Sequence, residues 1–380
     1  MTKKVILISS YTPSLVNFRF SLIKELQKQN FEVICFGPES DTQTIIQLKE
    51  NNIKFELYPL KRNTINPFED IKTVLHLRSR FKILKPDFII PYTVKPVLYS
   101  NIAIRFLDVR SLSLITGLGY YALPTRSFKA KIAKAIITLL YKFGTTKNVT
   151  FAFQNTDDID FFKEKKILKS NRYCITPGSG ININDFSYSK PVINPISFLF
   201  IGRLLKAKGI DLLLKSAKAI KLKYPEIQFN IIGMPDPLNS DSIDESTLKT
   251  FDSQGIVNYI GEVRNVKPYF EKSSVFVLPS YYREGVPRTL LEALAKGKPI
   301  ITTDYVGCRE TVVDGVNGFL IEPNSESSLF NAMERVILNP KLIKEFGKSS
   351  RILAEKKFDV KIVNKILLDQ IKFNSNDVLN

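Results

Sequence analysis

The sequence predicts an α/β protein built as two doubly wound, parallel-sheet domains. Three observations carry this expectation. Short apolar runs alternate with longer segments of helical period, the pattern of strand–helix–strand units. The alternation breaks at Pro177-Gly-Ser-Gly180 and restarts after Lys190-Pro191. The chain has 380 residues, more than one core usually holds.

Each element follows in order. Val5–Ser10 reads as the first strand, with a helix from about Phe18 to Gln29. Phe31–Gly37 and Lys54–Pro59 read as strands, with a helix over Thr42–Asn51 between them. Pro67–Leu84 has helical spacing. It carries the single histidine, His76, between Leu75 and Leu77, where a packing or surface role is expected. Asp87–Pro91 reads as a strand ending at Tyr92-Thr-Val-Lys95, and a further helix and strand lead to Thr116-Gly-Leu-Gly119. A helix over Ser127–Phe143, a strand at 151–153 and a helix at 159–166 follow. Tyr173 begins a stretch whose Pro177-Gly-Ser-Gly180 marks a break. The second domain reads as strands at 197–201, 228–232, 257–260, 275–278 and 299–302. Helices are expected at 210–224, 289–296, 327–338 and through most of 341–368. The expected division is 1–185, 186–360, and a C-terminal helix over 361–380 packing back towards the first domain.

Composition narrows the function. Hydrophobic residues make up 44% and charged residues 24%, ordinary for a globular protein. Cys35, Cys174 and Cys308 have neither metal-site nor CxxC spacing, so a reducing, cytoplasmic compartment is expected. Val5-Ile-Leu-Ile8 is too short for a signal-peptide core, and no run approaches the roughly 18–20 apolar residues of a membrane span. The formal net charge is +18, and it is uneven. Residues 1–190 hold 29 Lys and Arg against 15 Asp and Glu, whereas the remainder holds 26 against 22. Such a bias suits an anionic partner on the first half: phosphates, an anionic membrane surface or nucleic acid. The helix at 127–143 sharpens the question. Ile132, Ile136, Leu139, Leu140 and Phe143 share one side, and Arg126, Lys129, Lys131 and Lys134 crowd its first half. Two readings are open: a helix lying in a membrane interface, or a packed surface helix with a solvated basic face.

The chemistry concentrates in the second half. Pro279-Ser-Tyr-Tyr-Arg-Glu-Gly-Val-Pro-Arg-Thr-Leu-Leu-Glu292 joins an apolar strand to an apolar helix. Parallel sheets bind ligands beyond the carboxyl ends of their strands, and a helix start there offers free N–H groups to an anion. Glu284 and Glu292 are hydrogen-bond acceptors suited to sugar hydroxyls. The bland alternative is that Glu284 caps the helix and Glu292 is solvated. Gly202-Arg203-Leu-Leu-Lys206-Ala-Lys208-Gly209 follows another buried strand. Its guanidinium and ammonium groups suit a diphosphate.

Gly202-Arg203…Lys208-Gly209, followed by Glu284-Gly-Val-Pro…Glu292 and by the turn Asn317-Gly-Phe-Leu320, resembles the retaining, GT-B-fold glycosyltransferases whose hallmark is E-x7-E. The resemblance implies two Rossmann-like domains facing a cleft. In the first half, Asn17-Phe-Arg19, Arg62…Asn66-Pro67, Tyr92-Thr-Val-Lys95-Pro96, Thr116-Gly-Leu-Gly119 and Phe153-Gln-Asn155…Asp158 resemble a subgroup. That subgroup extends undecaprenyl-diphosphate-linked sugars, and N-acetylgalactosaminyltransferases are among its members.

The resemblance implies a nucleotide-sugar donor, UDP-linked, in the C-terminal domain. It implies a lipid-linked saccharide acceptor in the N-terminal domain and peripheral attachment to the cytoplasmic leaflet. Arg203 and Lys208 would bind the diphosphate, Glu284 the donor-sugar hydroxyls and Glu292 the ribose. Gly285, Val286 and Pro287 would line sugar or phosphate, and Gly261 would flank the base. Asn17, Arg19, Lys95, Thr116 and Gly117 are the acceptor-side candidates. No cofactor or metal is implied, the nucleotide sugar being a substrate. The chain departs from many relatives in lacking paired glycines in the Ser10–Ser14 loop, in having its single histidine, His76, midway along a predicted helix where relatives place one near the donor sugar, and in carrying Thr116 where some have an acid. The other readings are a nucleotide-sugar 2-epimerase on the same fold and a non-enzymatic basic protein binding membrane or nucleic acid. The first would need an acid–histidine apparatus, and the second has no use for the Glu284/Glu292 pair. No aromatic–basic nucleic-acid motif is present, and no G-x-G-x-x-G follows the first strand.

Overall fold

The computed structural model describes residues 2–61, 66–123, 125–168, 172–236, 239 and 241–376. The chain divides into two compact units, Met1–Ser179 with Lys361–Asn380, and Gly180–Val360. The division follows Ser179, ahead of the 185 expected from sequence.

In the first unit, strands β1 (Lys4–Ile8), β2 (Glu32–Gly37), β3 (Lys54–Leu57), β4 (Phe88–Pro91), β5 (Arg110–Ile115), β6 (Val149–Phe153) and β7 (Tyr173–Ile175) form one parallel sheet. Their order is β3-β2-β1-β4-β5-β6-β7. The helices between them are α1 (Ser14–Lys28), α2 (Thr42–Glu50), α3 (Pro67–Leu84), α4 (Val94–Ala103), α5 (Phe128–Gly144) and α6 (Thr156–Glu164). Alternation along β1 splits the core into two layers, because successive strand side chains face opposite ways. Val5 and Leu7 pack with Leu15 and Leu22 of α1, and Val363 and Leu367 of the C-terminal helix join that layer. Ile6 and Ile8 pack with Leu77 and Phe81 of α3 and Tyr141 of α5. With both faces covered, the central strands read as continuous apolar runs.

The second unit repeats the plan. Its strands are β8 (Ser197–Ile201), β9 (Gln228–Ile232), β10 (Asn258–Gly261), β11 (Val275–Leu278), β12 (Ile300–Thr303) and β13 (Gly318–Ile321), parallel and ordered β10-β9-β8-β11-β12-β13. Helices α7 (Ile210–Lys223), α8 (Glu245–Ser253), α9 (Lys267–Lys272), α10 (Arg288–Ala295), α11 (Glu326–Leu338) and α12 (Lys341–Leu353) complete it. A short π-helix over Ala354–Phe358 leads to α13 (Val360–Asn376).

Two local expectations are corrected, and one strand is added. Helix α1 starts at Ser14 rather than near Phe18, with Pro13 at its N-cap, so Asn17 is helical as well as Arg19. Tyr173 opens an edge strand, and Gly318-Phe-Leu320 is an edge strand rather than a turn. Both strands are too short to show a two-residue period and draw their hydrogen bonds from the neighbouring strand.

Helix α5 buries only Tyr141 and Gly144 among its residues. Phe128 and Leu139 are 75% and 63% exposed, and Ile132, Ile136 and Phe143 are exposed beside them. Leu140 and Ile137 pack against the core, so the apolar side is covered in part and exposed in part within this unit. On α3, Phe68, Ile71, Leu75 and Ile83 are likewise exposed. Among the described residues, no helix is long and apolar enough to cross a membrane.

Candidate active site

Strand order reverses between β8 and β11, which makes the second sheet's switch point the mouth between the loops that follow those strands. Gly202 to Gly209 leave β8, and Pro279 to Pro287 leave β11. The two loops are stitched together. Tyr281 N donates to the Ala207 carbonyl at 2.8 Å, and Ser280 Oγ donates to the same oxygen at 3.3 Å. A Cβ on Gly209 would stand 2.2 Å from the Pro279 carbonyl oxygen, so the loops touch backbone to backbone.

Within this frame Lys208 Nζ and Glu284 Oε1 form an ion pair, both side chains being largely shielded from solvent. Ser280 Oγ donates to the same Glu284 oxygen at 3.1 Å. A lysine and a carboxylate separated in sequence are thus fixed side by side at the sheet mouth. Arg203 stands half exposed at the end of β8, 4.0 Å from Asp236, a distance that leaves the guanidinium able to turn to an anion. Gly261 ends β10 with open space where a side chain would be.

Glu292 lies one turn into α10, with Arg288 at the first helical position. Arg288 Nε donates to Glu292 Oε1 at 3.2 Å, and its Nη1 donates to the Gly180 carbonyl at 2.8 Å. Burial pushes the Glu292 carboxyl up from its ordinary pKa, and the Arg288 charge and hydrogen bond oppose that shift. Glu292 is largely shielded rather than solvated, its side chain being 14% exposed, and the N-cap residue of α10 is Pro287, which makes no side-chain cap hydrogen bond. Val286 is buried and Gly285 is covered by Gly307, whose φ is +77° and whose added Cβ would lie 1.5 Å from the Gly285 carbonyl oxygen.

The first unit has its own switch point, between β1 and β4. Arg19 is buried with its guanidinium over the Tyr92 ring, 5.2 Å from the centroid, and Tyr92 Oη lies 2.8 Å from Ser14 Oγ. Thr93 Oγ1 donates to Ser10 Oγ at 2.8 Å. Thr12 N donates to Glu39 at the end of β2, so the loop after β1 is pinned to a carboxylate. Lys95 is engaged by Asp70 at 3.2 Å and donates to the Lys61 carbonyl at 2.8 Å. Thr116 and Gly117 leave β5, with Gly117 at φ +105°. Asn17 lies in the first turn of α1. Arg62 lies outside the described residues.

Comparison with known proteins agrees in both units. Residues 185–352 match the family described as Glycosyl transferases group 1, and residues 4–155 match Glycosyl transferase 4-like. An uncharacterized glycosyltransferase of Haemophilus influenzae is 31% identical, with 87% of this chain and 88% of that protein covered. This chain is a group 1 glycosyltransferase. The glycosyltransferase is also 28% identical to the N,N'-diacetylbacillosaminyl-diphospho-undecaprenol alpha-1,3-N-acetylgalactosaminyltransferase of Campylobacter jejuni, covering 89% of this chain and 90% of that one. In fold it resembles the sucrose-phosphate synthase of Thermosynechococcus elongatus, with TM-score 0.79, 17% identity and 99% and 100% of the chains covered. It also resembles Anabaena Alr3699/HepE in complex with UDP, with TM-score 0.76, 16% identity and 97% and 99% covered. The fold is GT-B, with one Rossmann-like domain in each unit.

Of the sequence-predicted residues in the glycosyltransferase's second unit, the structure joins Lys208 with Glu284 and sets Arg203 on the same loop as Lys208. Glu292 is held by a residue that sequence reading did not single out for a role, Arg288. The stitching by Ser280 and the buttress at Gly307 were also not singled out. The sequence carried one usable signal for Arg288, its i,i+4 spacing to Glu292 on a helix. Among the described residues, no group of three or more His, Cys, Asp or Glu is arranged to hold a metal ion. His76 lies on α3, with burial lowering its pKa.

Proposed function

We propose that this glycosyltransferase moves a hexose or N-acetylhexosamine, with retention, from a UDP-linked donor to a lipid-diphosphate-linked saccharide in bacterial surface-glycan assembly. The observation that carries the reading is the Lys208–Glu284 pair at the switch point of the second sheet. It sets a cation for phosphate beside an acceptor for sugar hydroxyls. Support for the acceptor class comes from relatives. One is the Campylobacter enzyme, and another, 24% identical, is the UDP-Gal:alpha-D-GlcNAc-diphosphoundecaprenol alpha-1,3-galactosyltransferase of Escherichia coli.

In this reading Arg203 and Lys208 hold the donor diphosphate and offset the charge that grows as it leaves. Glu284 orients the sugar through its hydroxyls, with the loop at Gly285, Val286 and Pro287 beside it. Glu292 takes the ribose, and Gly261 leaves room for the base. The C1–O bond breaks with its electron pair going to the nucleoside diphosphate. The acceptor hydroxyl bonds to C1 on the same face and gives its proton to a departing phosphate oxygen. No metal or cofactor is required by this scheme.

The acceptor binds the first unit, with Arg19, Asn17, Thr116 and Gly117 at its sheet mouth. Lys95 reaches a phosphate only by exchanging Asp70 for it. The exposed apolar side of α5 and its lysines rest on the anionic inner face of the cell membrane. The test is a panel of nucleotide sugars with a polyprenyl-diphosphate-linked saccharide as acceptor, scored for nucleotide release and product anomer. Transfer from one UDP-sugar with retained configuration is expected, and it is lost in Glu284→Ala. Full transfer by that variant would remove the site assignment.

A further inference from the structure

We propose that Arg288 is a positioning residue of the donor site: anchored on the Gly180 carbonyl, its guanidinium holds one oxygen of Glu292 and turns the carboxylate to receive a pair of vicinal hydroxyls. The inference rests on the donor-site reading above and adds a residue to it. Three observations support it. Arg288 grips two partners at once, Glu292 Oε1 at 3.2 Å and the Gly180 carbonyl at 2.8 Å, so the guanidinium is fixed rather than swinging free. The Arg288 contact is made to Oε1 of Glu292, whose side chain is only 14% exposed, so the carboxylate is held in a largely shielded place. Finally, α10 begins at Arg288, and its N-cap, Pro287, offers no side-chain acceptor. The positive end of the helix therefore faces the same spot.

Chemistry then selects the ligand class. An ionised carboxylate accepts from two adjacent hydroxyls, as in a ribose cis-diol, whereas a protonated one donates and accepts poorly. Around Glu292 the charges that favour ionisation are Arg288 first and Lys267 of α9 more weakly. Charged groups on other elements packed against α10 are paired: Arg351 with Glu355, Lys357 with Glu310, and Arg309 with Asp304. Lys296, just past the C-terminal end of α10, is paired with Glu271. Without Arg288, burial is opposed only by Lys267, and Glu292 takes up a proton nearer neutrality.

The test measures the Kd of UDP, GDP, ADP and CDP, and the KM of the UDP-sugar, for Arg288→Gln, Arg288→Lys and Glu292→Gln between pH 5.5 and 8.5, with thermal melting as the fold control. Wild type is expected to bind UDP with a flat profile over the neutral range. Arg288→Gln should bind near the wild-type level at high pH and weaken on acidification by about tenfold per pH unit below the raised pKa, with kcat little changed. Arg288→Lys should restore most of the flat profile. Glu292→Gln should be weak at every pH, and adding Arg288→Gln to it should change nothing further. A uniform, pH-independent loss in Arg288→Gln, or additive losses in the double variant, overturns the inference while leaving the donor site standing. Wild type that binds none of the four diphosphates removes the donor-site reading and this inference together.

Discussion

Lys208 and Glu284 belong to different loops of the second unit, yet their side chains share one ion pair, with Ser280 donating to the same carboxylate oxygen. Each group is shielded enough that losing its partner leaves a poorly solvated charge. Replacing either residue by alanine should therefore lower transfer by about 10²–10³-fold in kcat/KM, the range for removing one electrostatic donor from a site. The double variant should be far from additive, because the two act on one ligand and on each other. Steady-state kinetics on the three variants checks this, and independent additive losses would show that the pair is not one unit.

The loop that carries Glu284 is supported from behind by Gly307. An added Cβ would lie 1.5 Å from the Gly285 carbonyl oxygen, at a backbone φ of +77°. Gly307→Ala should displace the loop and destabilise the second unit by several kcal/mol, about 3 or more, since neither backbone can give way cheaply. Gly315→Ala is the control. Its φ is +72°, but nothing lies within 4 Å of the added atom, so its cost should be only about 1 kcal/mol. Urea unfolding of the two variants, with UDP binding measured alongside, separates steric from conformational cost.

Lys298 is buried with its ammonium on the Ser273 carbonyl at 2.8 Å, and burial, assisted by Lys296, lowers its pKa to about 8. A lysine whose folded pKa lies below its unfolded value is a net cost at neutral pH, and the cost is relieved as pH rises from 8 towards 10.5. The full effect is roughly 3 kcal/mol. Wild-type stability should therefore gain a rising contribution over that window. Lys298→Met should be at least as stable at pH 7 and should lack the contribution. Denaturant titrations at pH 7, 8, 9 and 10 test the slope, and identical slopes for the two proteins would refute it.

The exposed side of α5 gives a prediction for membrane attachment. Leu139→Glu combined with Phe128→Glu should reduce sedimentation with vesicles of anionic phospholipid by about tenfold or more and leave binding to neutral vesicles at background. Melting temperature should hardly move, because both side chains are exposed. Unchanged sedimentation would mean that α5 is not the contact.

Much of the fold was legible in the residues. The β8 and β11 runs are wholly buried apolar strands, and each feeds a loop whose charged residues stand out against them. Edge strands β7 and β13 were not legible, because three or four residues show no period and their stability comes from a neighbour. The start of α1 was missed because the polar run Ser10 to Asn17, with Pro13, reads as a loop. In the structure Arg19 is buried against Tyr92, a contact that depends on the neighbouring strand rather than on the local sequence.

The sequence by itself determined the two parallel sheets, the E-x7-E spacing of Glu284 and Glu292, and the charge bias of the first half. Apolar period, residue type and net charge are local or additive properties that survive in a linear string. Only the tertiary structure decided which charges meet. It joined Lys208 to Glu284, gave Arg288 to Glu292, tied Lys95 to Asp70 and left Phe128, Ile132, Ile136, Leu139 and Phe143 of α5 exposed. These are pairings set by strand order and loop packing. A carboxylate's partner and its proton depend on what lies within a few ångströms in space, and sequence distance does not encode that.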